Sequence, residues 1–222
     1  MEIKNNINEI KSKITDEIKL VAVSKTKPLE DLEKAYECGI RDFGENKVQE
    51  ICTKYENFHK DVRWHLIGHL QKNKVKYIVG KVHLIHSIDS ISLVEEIEKR
   101  YKKENIVANG LIQINIGRET QKYGVLQEDI YGIIESIESC NNIKIKGIMV
   151  IIPKGNDEDN RKYFRKTKEI FDEIKQKKYK NTCMEILSMG MTHDYQIAIE
   201  EGSTLIRVGE GIFGARNYSK ND

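Results

Sequence analysis

The 222-residue sequence predicts an α/β chain closed into a (β/α)8 TIM barrel, with an additional helix at its amino terminus. Three observations carry this expectation. Short β-branched runs alternate with amphipathic runs of helical period, and such alternation calls for parallel strands joined by helical crossovers. The alternation occurs eight times in 222 residues, which suits a closed barrel better than an open sheet. Only two prolines occur and no Ser/Gly/Pro-rich linker divides the chain. One domain is therefore expected over 1–222, with the extra helix at about 3–18 and the barrel at about 19–216.

The first helix follows from Ile3, Ile7, Ile10, Ile14 and Ile18, which recur every three or four residues and so share one face. The first β/α unit reads as a strand over 20–24 and a helix over 29–37, opened by Pro28 where a helix needs no N–H. Units two to four follow as 42–44 with 48–58, 63–67 with 72–79, and 82–87 with 93–103. Units five and six pair 107–116 with 128–139 and 143–152 with 157–177. The last two pair 185–188 with 195–201, and 205–208 with a short terminal helix. The charged stretch 154–160 reads as a solvated loop and 175–180 as a solvated helix end.

Composition narrows the function classes. The chain sets 37 Lys plus Arg against 35 Asp plus Glu, and a net charge of +2 is too small to imply nucleic acid or a membrane surface as partner. Cys38, Cys52, Cys140 and Cys183 form no C-x-x-C pair, so neither a zinc ribbon nor a disulfide framework is indicated. Free thiols suit a reducing compartment. The start Met-Glu-Ile-Lys-Asn-Asn has no basic n-region or apolar h-region, and no apolar run approaches ~18 residues. The expectation is a cytoplasmic protein with no membrane and no nucleic-acid partner.

In a barrel, the last residues of every strand face a common mouth where ligands bind. Lys25 ends the first strand in Lys19-Leu-Val-Ala-Val-Ser-Lys-Thr-Lys-Pro28; alone it would read as a surface lysine. Asn46 follows strand two, His65 lies in strand three, Ser87 ends strand four, and Asn115 and Met149 end strands five and six. His65 and His69 are four apart, but Gly68 intervenes and no glutamate follows His65 as a zinc-protease motif requires. No metal is predicted, and His69 reads as a helix-cap or surface residue.

The last two loops signal more strongly. Leu187-Ser-Met-Gly-Met-Thr-His-Asp194 is a strand end that turns through Gly190 into a helix start, where backbone N–H groups and hydroxyls converge. In Arg207-Val-Gly-Glu-Gly-Ile-Phe-Gly214, Gly209 and Gly211 permit close backbone approach before a short helix. A lone Gly-x-Gly is a tight turn. Side by side at strands seven and eight, the two loops fall where barrels hold phosphate.

A lysine across the mouth from a phosphate site can hold a phosphorylated aldehyde, the amine as a Schiff base and the phosphate as anchor. Pyridoxal 5'-phosphate (PLP) is the first candidate; a sugar phosphate on an aldolase-type lysine is another. Arg207 would donate to the pyridine nitrogen and keep it unprotonated, making the ring a weaker electron sink than a carboxylate partner would.

The runs Val21-Ala-Val-Ser-Lys-Thr-Lys-Pro28, Phe43-Gly-Glu-Asn46, Trp64-His-Leu-Ile-Gly68, Leu187-Ser-Met-Gly-Met191, Ile206-Arg-Val-Gly209 and Ile212-Phe-Gly214 resemble the pyridoxal phosphate homeostasis proteins. These are single-domain relatives of the alanine racemase barrel, and the resemblance covers about 3–216. It implies Lys25 as the Schiff-base lysine and Arg207 beside the pyridine nitrogen. It further implies Ser188, Thr192 and the Gly209 region as phosphate ligands, with Met189 and Glu210 among the cofactor-binding residues, and Asn46 and His65 lining the pocket. Two departures stand out. Glu210 occupies a place where many relatives carry a small hydroxyl residue, which leaves a backbone N–H for that phosphate contact, and the 115–122 segment is a looser match.

A racemase needs a second acid/base group on the opposite face of the ring. In racemases resembling this barrel, a tyrosine from an added domain and a partner subunit supplies it, and no such domain is expected here. The expected protein is a monomer without robust catalysis. It would hold PLP as a reversible imine and pass it to, or buffer it for, PLP-dependent apo-enzymes. The alternative is a PLP-dependent amino-acid racemase or lyase of the same fold.

Overall fold

Successive side chains along a strand face opposite ways, so a closed barrel sorts its residues into an inside and an outside. In the computed structural model, which describes residues 2–215, eight parallel strands close in chain order. They are β1 (Lys19–Val23), β2 (Asp42–Glu45), β3 (Arg63–Leu66), β4 (Leu84–Ile88), β5 (Ala108–Ile114), β6 (Ile143–Val150), β7 (Thr182–Ser188) and β8 (Leu205–Val208). β8 returns to β1 with Leu205 opposite Lys19 and Arg207 opposite Val21. The predicted barrel is found, and its expected limit at 216 lies outside the described residues.

The helices are α1 (Glu2–Ser12), α2 (Leu29–Glu37), α3 (Val48–Asn57), α4 (Val75–Ile78), α5 (Ile91–Lys103), α6 (Ile130–Glu138), α7 (Asp157–Lys175), α8 (Tyr195–Glu200) and α9 (Glu210–Phe213). Their apolar faces meet the outward residues of the strands in one large core that includes Phe43, Trp64 and Phe164. A separate, smaller cluster of Val21, Leu84, Leu111, Met149 and Leu205 fills the inside. Asp42, His65, His86, Ser188 and Arg207 share the inward side of their strands, and all are buried. The barrel therefore carries a polar vein through an apolar filling.

Most boundaries shift by one to three residues, and two of the shifts have a visible cause. α1 ends at Ser12 rather than 18, because Lys13 and Ile14 donate to carbonyls only three residues back and tighten the chain into a turn. That turn delivers Lys19 to the Thr204 carbonyl at 3.0 Å, while Ile14 and Ile18 still pack on the outer core. α1 is tied to α9 by Asn6 Nδ2, which donates to the Ile212 carbonyl at 3.0 Å. β7 begins at Thr182, ahead of the predicted 185. The Glu138 carboxylate accepts the N–H groups of Lys180 and Asn181 and the Thr182 hydroxyl, and so holds in strand register a polar segment whose composition does not favour it.

The β7–β8 seam is thinly laddered, with the single register pair Ser188–Leu205. Side chains complete it. Ser203 Oγ lies within 3.2 Å of the carbonyl oxygens of Leu187, Met189 and Leu205, and Thr204 Oγ1 accepts the Leu187 N–H at 2.8 Å. Among the described residues, no helix is long and apolar enough to cross a membrane.

Candidate functional site

The carboxyl ends of the strands surround a cavity of about 440 Å³ that Lys25 and Arg207 both line. Its size suits a small-molecule ligand. Lys25 stands just past β1 on a backbone pinned from both sides. The Ser24 N–H donates to the Gly44 carbonyl at 3.0 Å, and the Thr26 N–H donates to Glu50 Oε2 at 2.9 Å. Thr26 adopts a φ of 64°, a left-handed conformation held by that bond. Beneath the loop, Ser24 Oγ donates to Glu45 Oε1 at 2.5 Å, and Lys54 Nζ donates to the same oxygen at 2.8 Å and to the Ser24 carbonyl at 2.9 Å. Burial, with the neighbouring Glu50 carboxyl, pushes the Glu45 carboxyl up to about 7 against the pull of Lys54 and Ser24.

One wall joins Asn46 to Gly68. A Cβ on Gly68 would lie 2.4 Å from the Asn46 carbonyl oxygen, so only glycine permits the loops after β2 and β3 to meet this closely. His69 then stacks on Tyr123 with ring centroids 3.8 Å apart, and its Nδ1 lies 3.2 Å from the Asp89 carboxylate.

The opposite wall is built by β7 and β8. Gly190, at φ 93°, lets its carbonyl accept the Arg207 N–H at 3.0 Å. Thr192 Oγ1 accepts the Gly211 N–H at 3.2 Å and so clamps the first turn of α9 to the β7 loop. Arg207 is buried; its guanidinium donates to Ser188 Oγ at 2.5 Å and to the Val150 carbonyl at 2.8 Å. Burial lowers Arg207 to about 10, with Asp194 acting in the other direction, and it stays charged at neutral pH. The Arg207 guanidinium and Lys25 thus line the cavity together with the Glu210 carboxylate, and the buried guanidinium suits an anionic or acceptor-bearing ligand.

Residues 1–217 match the family model described as "Alanine racemase, N-terminal domain". The pyridoxal phosphate homeostasis protein of Aquifex aeolicus is 48% identical over 202 residues, 90% of this chain and 88% of that protein. The Haemophilus influenzae protein of the same name is 36% identical over 233 residues, 99% of this chain and 98% of its own length. The chain belongs to the pyridoxal phosphate homeostasis family. Among solved structures, PipY of Synechococcus elongatus without PLP is similar at a TM-score of 0.90 and 31% identity, covering 96% of this chain and 100% of that one. The same protein with PLP bound gives 0.88. Alanine racemase of Clostridium difficile shares the fold at a TM-score of 0.81 and 16% identity, over 98% of this chain and 57% of its own.

The residues expected from the pyridoxal phosphate homeostasis family divide into two groups. Lys25, Asn46, Thr192, Arg207, Gly209 and Glu210 line the cavity together. His65, Ser188 and Met189 lie outside its lining. His65 is fully buried one layer below the mouth, where its Nε2 meets Asp42 at 2.9 Å and its Nδ1 meets His86 at 2.9 Å. Ser188 is buried between His86 and Arg207, and Met189, one residue on, points the other way into the outer core. Ile67 takes the mouth position that His65 was expected to fill.

Sequence reasoning missed His69, Gln113, Tyr123 and His193, which also line the cavity. The His69 spacing drew attention only as a metal question, and among the described residues no group of three or more His, Cys, Asp or Glu could hold a metal ion. Asn115 is a loop organiser: its Nδ2 donates to the Glu119 carbonyl at 2.9 Å and its Oδ1 accepts the Glu119 N–H at 3.1 Å. That brace carries the 115–124 loop and Tyr123 over the mouth.

Proposed function

We propose that this chain binds pyridoxal 5'-phosphate, tethers its aldehyde as a Schiff base on Lys25, and serves PLP homeostasis in the cytoplasm by holding and releasing the cofactor. The observation that carries the reading is that one cavity collects Lys25 and Arg207 together with Thr192, Gly209 and Glu210 at the start of α9. The donor set fits the group. An amine answers an aldehyde, a guanidinium that cannot accept answers a pyridine nitrogen, and a hydroxyl with backbone N–H groups at a helix start answers a phosphate. When bound, PLP supplies an aldehyde that condenses reversibly with amines.

The names of the relatives and the PLP-bound PipY structure support the same ligand. In this reading the cofactor passes to PLP-dependent apo-enzymes. In the same reading the working unit is a monomer. Adding PLP to the purified protein should produce an absorption band near ~420 nm that Lys25→Ala lacks. Absence of the band in the wild type, or its survival in Lys25→Ala, overturns the proposal. Amino-acid turnover well above free PLP by the same sample would instead favour a racemase or lyase.

A further inference from the structure

The inside of the barrel holds four polar side chains that the cavity does not account for, Asp42, His65, His86 and Ser188, and they touch one another in sequence. Arg63 grips Asp42 with two bonds, Nε to Oδ1 at 2.8 Å and Nη2 to Oδ2 at 2.6 Å, at the amino-terminal end of the barrel. Asp42 Oδ1 lies 2.9 Å from His65 Nε2, and His65 Nδ1 lies 2.9 Å from His86 Nε2. His86 Nδ1 lies 3.2 Å from Ser188 Oγ, which accepts from Arg207 at 2.5 Å. Both imidazoles and the serine are fully buried. The chain of contacts runs from a second cavity, lined by Asp42 and Arg63 at the barrel's amino-terminal end, to the guanidinium at the mouth.

We infer that Asp42, His65, His86 and Ser188 are positioning residues for Arg207: they form one hydrogen-bond chain of fixed direction that holds the guanidinium as a donor at the cavity and links it to a carboxylate at the opposite end of the barrel. The inference rests on the PLP reading for its consequence, but its geometry stands on this chain alone.

The direction follows from the Asp42 end. An arginine can only donate and an ionised carboxylate can only accept. Burial opposes ionisation of Asp42, but the bonds from Arg63 and His65 outweigh it and hold the carboxyl well below its usual range. Burial likewise pushes both imidazoles below their usual value, so each is neutral and carries one N–H. His65 must then donate from Nε2 to Asp42, which leaves its Nδ1 an acceptor. His86 must donate from Nε2 to that nitrogen, which leaves its own Nδ1 an acceptor. Ser188 must donate to His86 and accept from Arg207. The Asp42 end alone fixes this assignment, since the Ser188 oxygen could accept twice, and in it every group is satisfied. Each dipole has its negative end toward Arg207. That is how a buried cation bonded to a hydroxyl and a carbonyl rather than to a carboxylate is stabilised. With one hydrogen-bond arm held by Ser188 and another by Val150, the guanidinium has a single orientation.

The test has two arms on the full chain. In the first, without cofactor, nitrogen-15 NMR of labelled histidine should find His65 and His86 both neutral with the proton on Nε2 between about pH 6 and 8. A proton on Nδ1 of either ring, or a doubly protonated ring, overturns the chain. In the second, Ser188→Ala removes one oxygen next to Arg207, and His86→Leu breaks the chain without touching the cavity. Both should weaken PLP binding about tenfold, the scale of one hydrogen bond to a charged group, and shift the pH at which the ~420 nm band forms. Folded variants with wild-type affinity and an unmoved band overturn the positioning role; should His86→Leu fail to fold, Ser188→Ala decides. A wild type that takes up no PLP ends both the cofactor reading and this role, while the NMR arm still decides the chain.

Discussion

Beneath Lys25, the buried Glu45 makes stability depend on pH. Its folded value near 7 lies above the usual 4.5, so the folded protein binds this proton more tightly than the unfolded chain does. The contribution is full below 4.5 and is lost as pH rises toward about 7. Urea midpoints measured at about pH 5 and pH 8 should fall on going to the higher pH, and Glu45→Gln should flatten that component. Asp42 has the opposite sign: its folded value is depressed, so it stabilises above the unfolded carboxylate range and that support is lost only in acid. At the neighbouring wall, Gly68→Ala would drive a Cβ to 2.4 Å from the Asn46 carbonyl oxygen. A loss of about 1–3 kcal/mol in denaturant unfolding is expected, together with weaker PLP binding, because Asn46 must move.

At the scale of elements, tertiary contacts decided what local composition could not. β1, β8 and the second half of β6 were legible because strands buried on both faces read as near-continuous apolar runs. The start of β7 was not, since Thr182 and Cys183 are drawn into the sheet by Glu138, more than forty residues away in the chain. Glu138→Ala should therefore cost about 2 kcal/mol, as expected for bonds to a charged group, and hydrogen exchange should quicken first at 180–182. Lys25 and the loops after β7 and β8 were readable because glycines and a helix start announce themselves locally. His65 was placed one layer too high, because two residues along a strand amount to roughly 7 Å and sequence alone does not set which inward residue reaches the mouth. Tyr123 reaches the cavity on the loop that Asn115 braces, and stacks there on His69.

For the whole molecule, closure of the barrel is the event that creates both the cavity and the polar vein. Asp42, His65, His86, Ser188 and Arg207 come from β2, β3, β4, β7 and β8, and only the closed register stacks them in bonding order. Nothing in their spacing along the chain reveals it. Their coupling should be visible in stability: the double variant His65→Leu with His86→Leu should cost less than the sum of the single changes, because each single change strands a buried partner. Thermal or denaturant unfolding of the three proteins measures this directly.

The seam between β7 and β8 has a consequence of its own. A hoop made of staves is only as firm as its loosest joint, and here Ser203 and Thr204 act as a clasp where the ladder is short. The Thr192–Gly211 contact bridges the same joint at the rim of the cavity. An occupant gripped by both staves would fasten the clasp, so filling the cavity and tightening the hoop become one equilibrium. PLP should slow amide exchange along 187–192 and 203–211 more than on the far side of the barrel, and Ser203→Ala should both speed that exchange and hasten release of the cofactor.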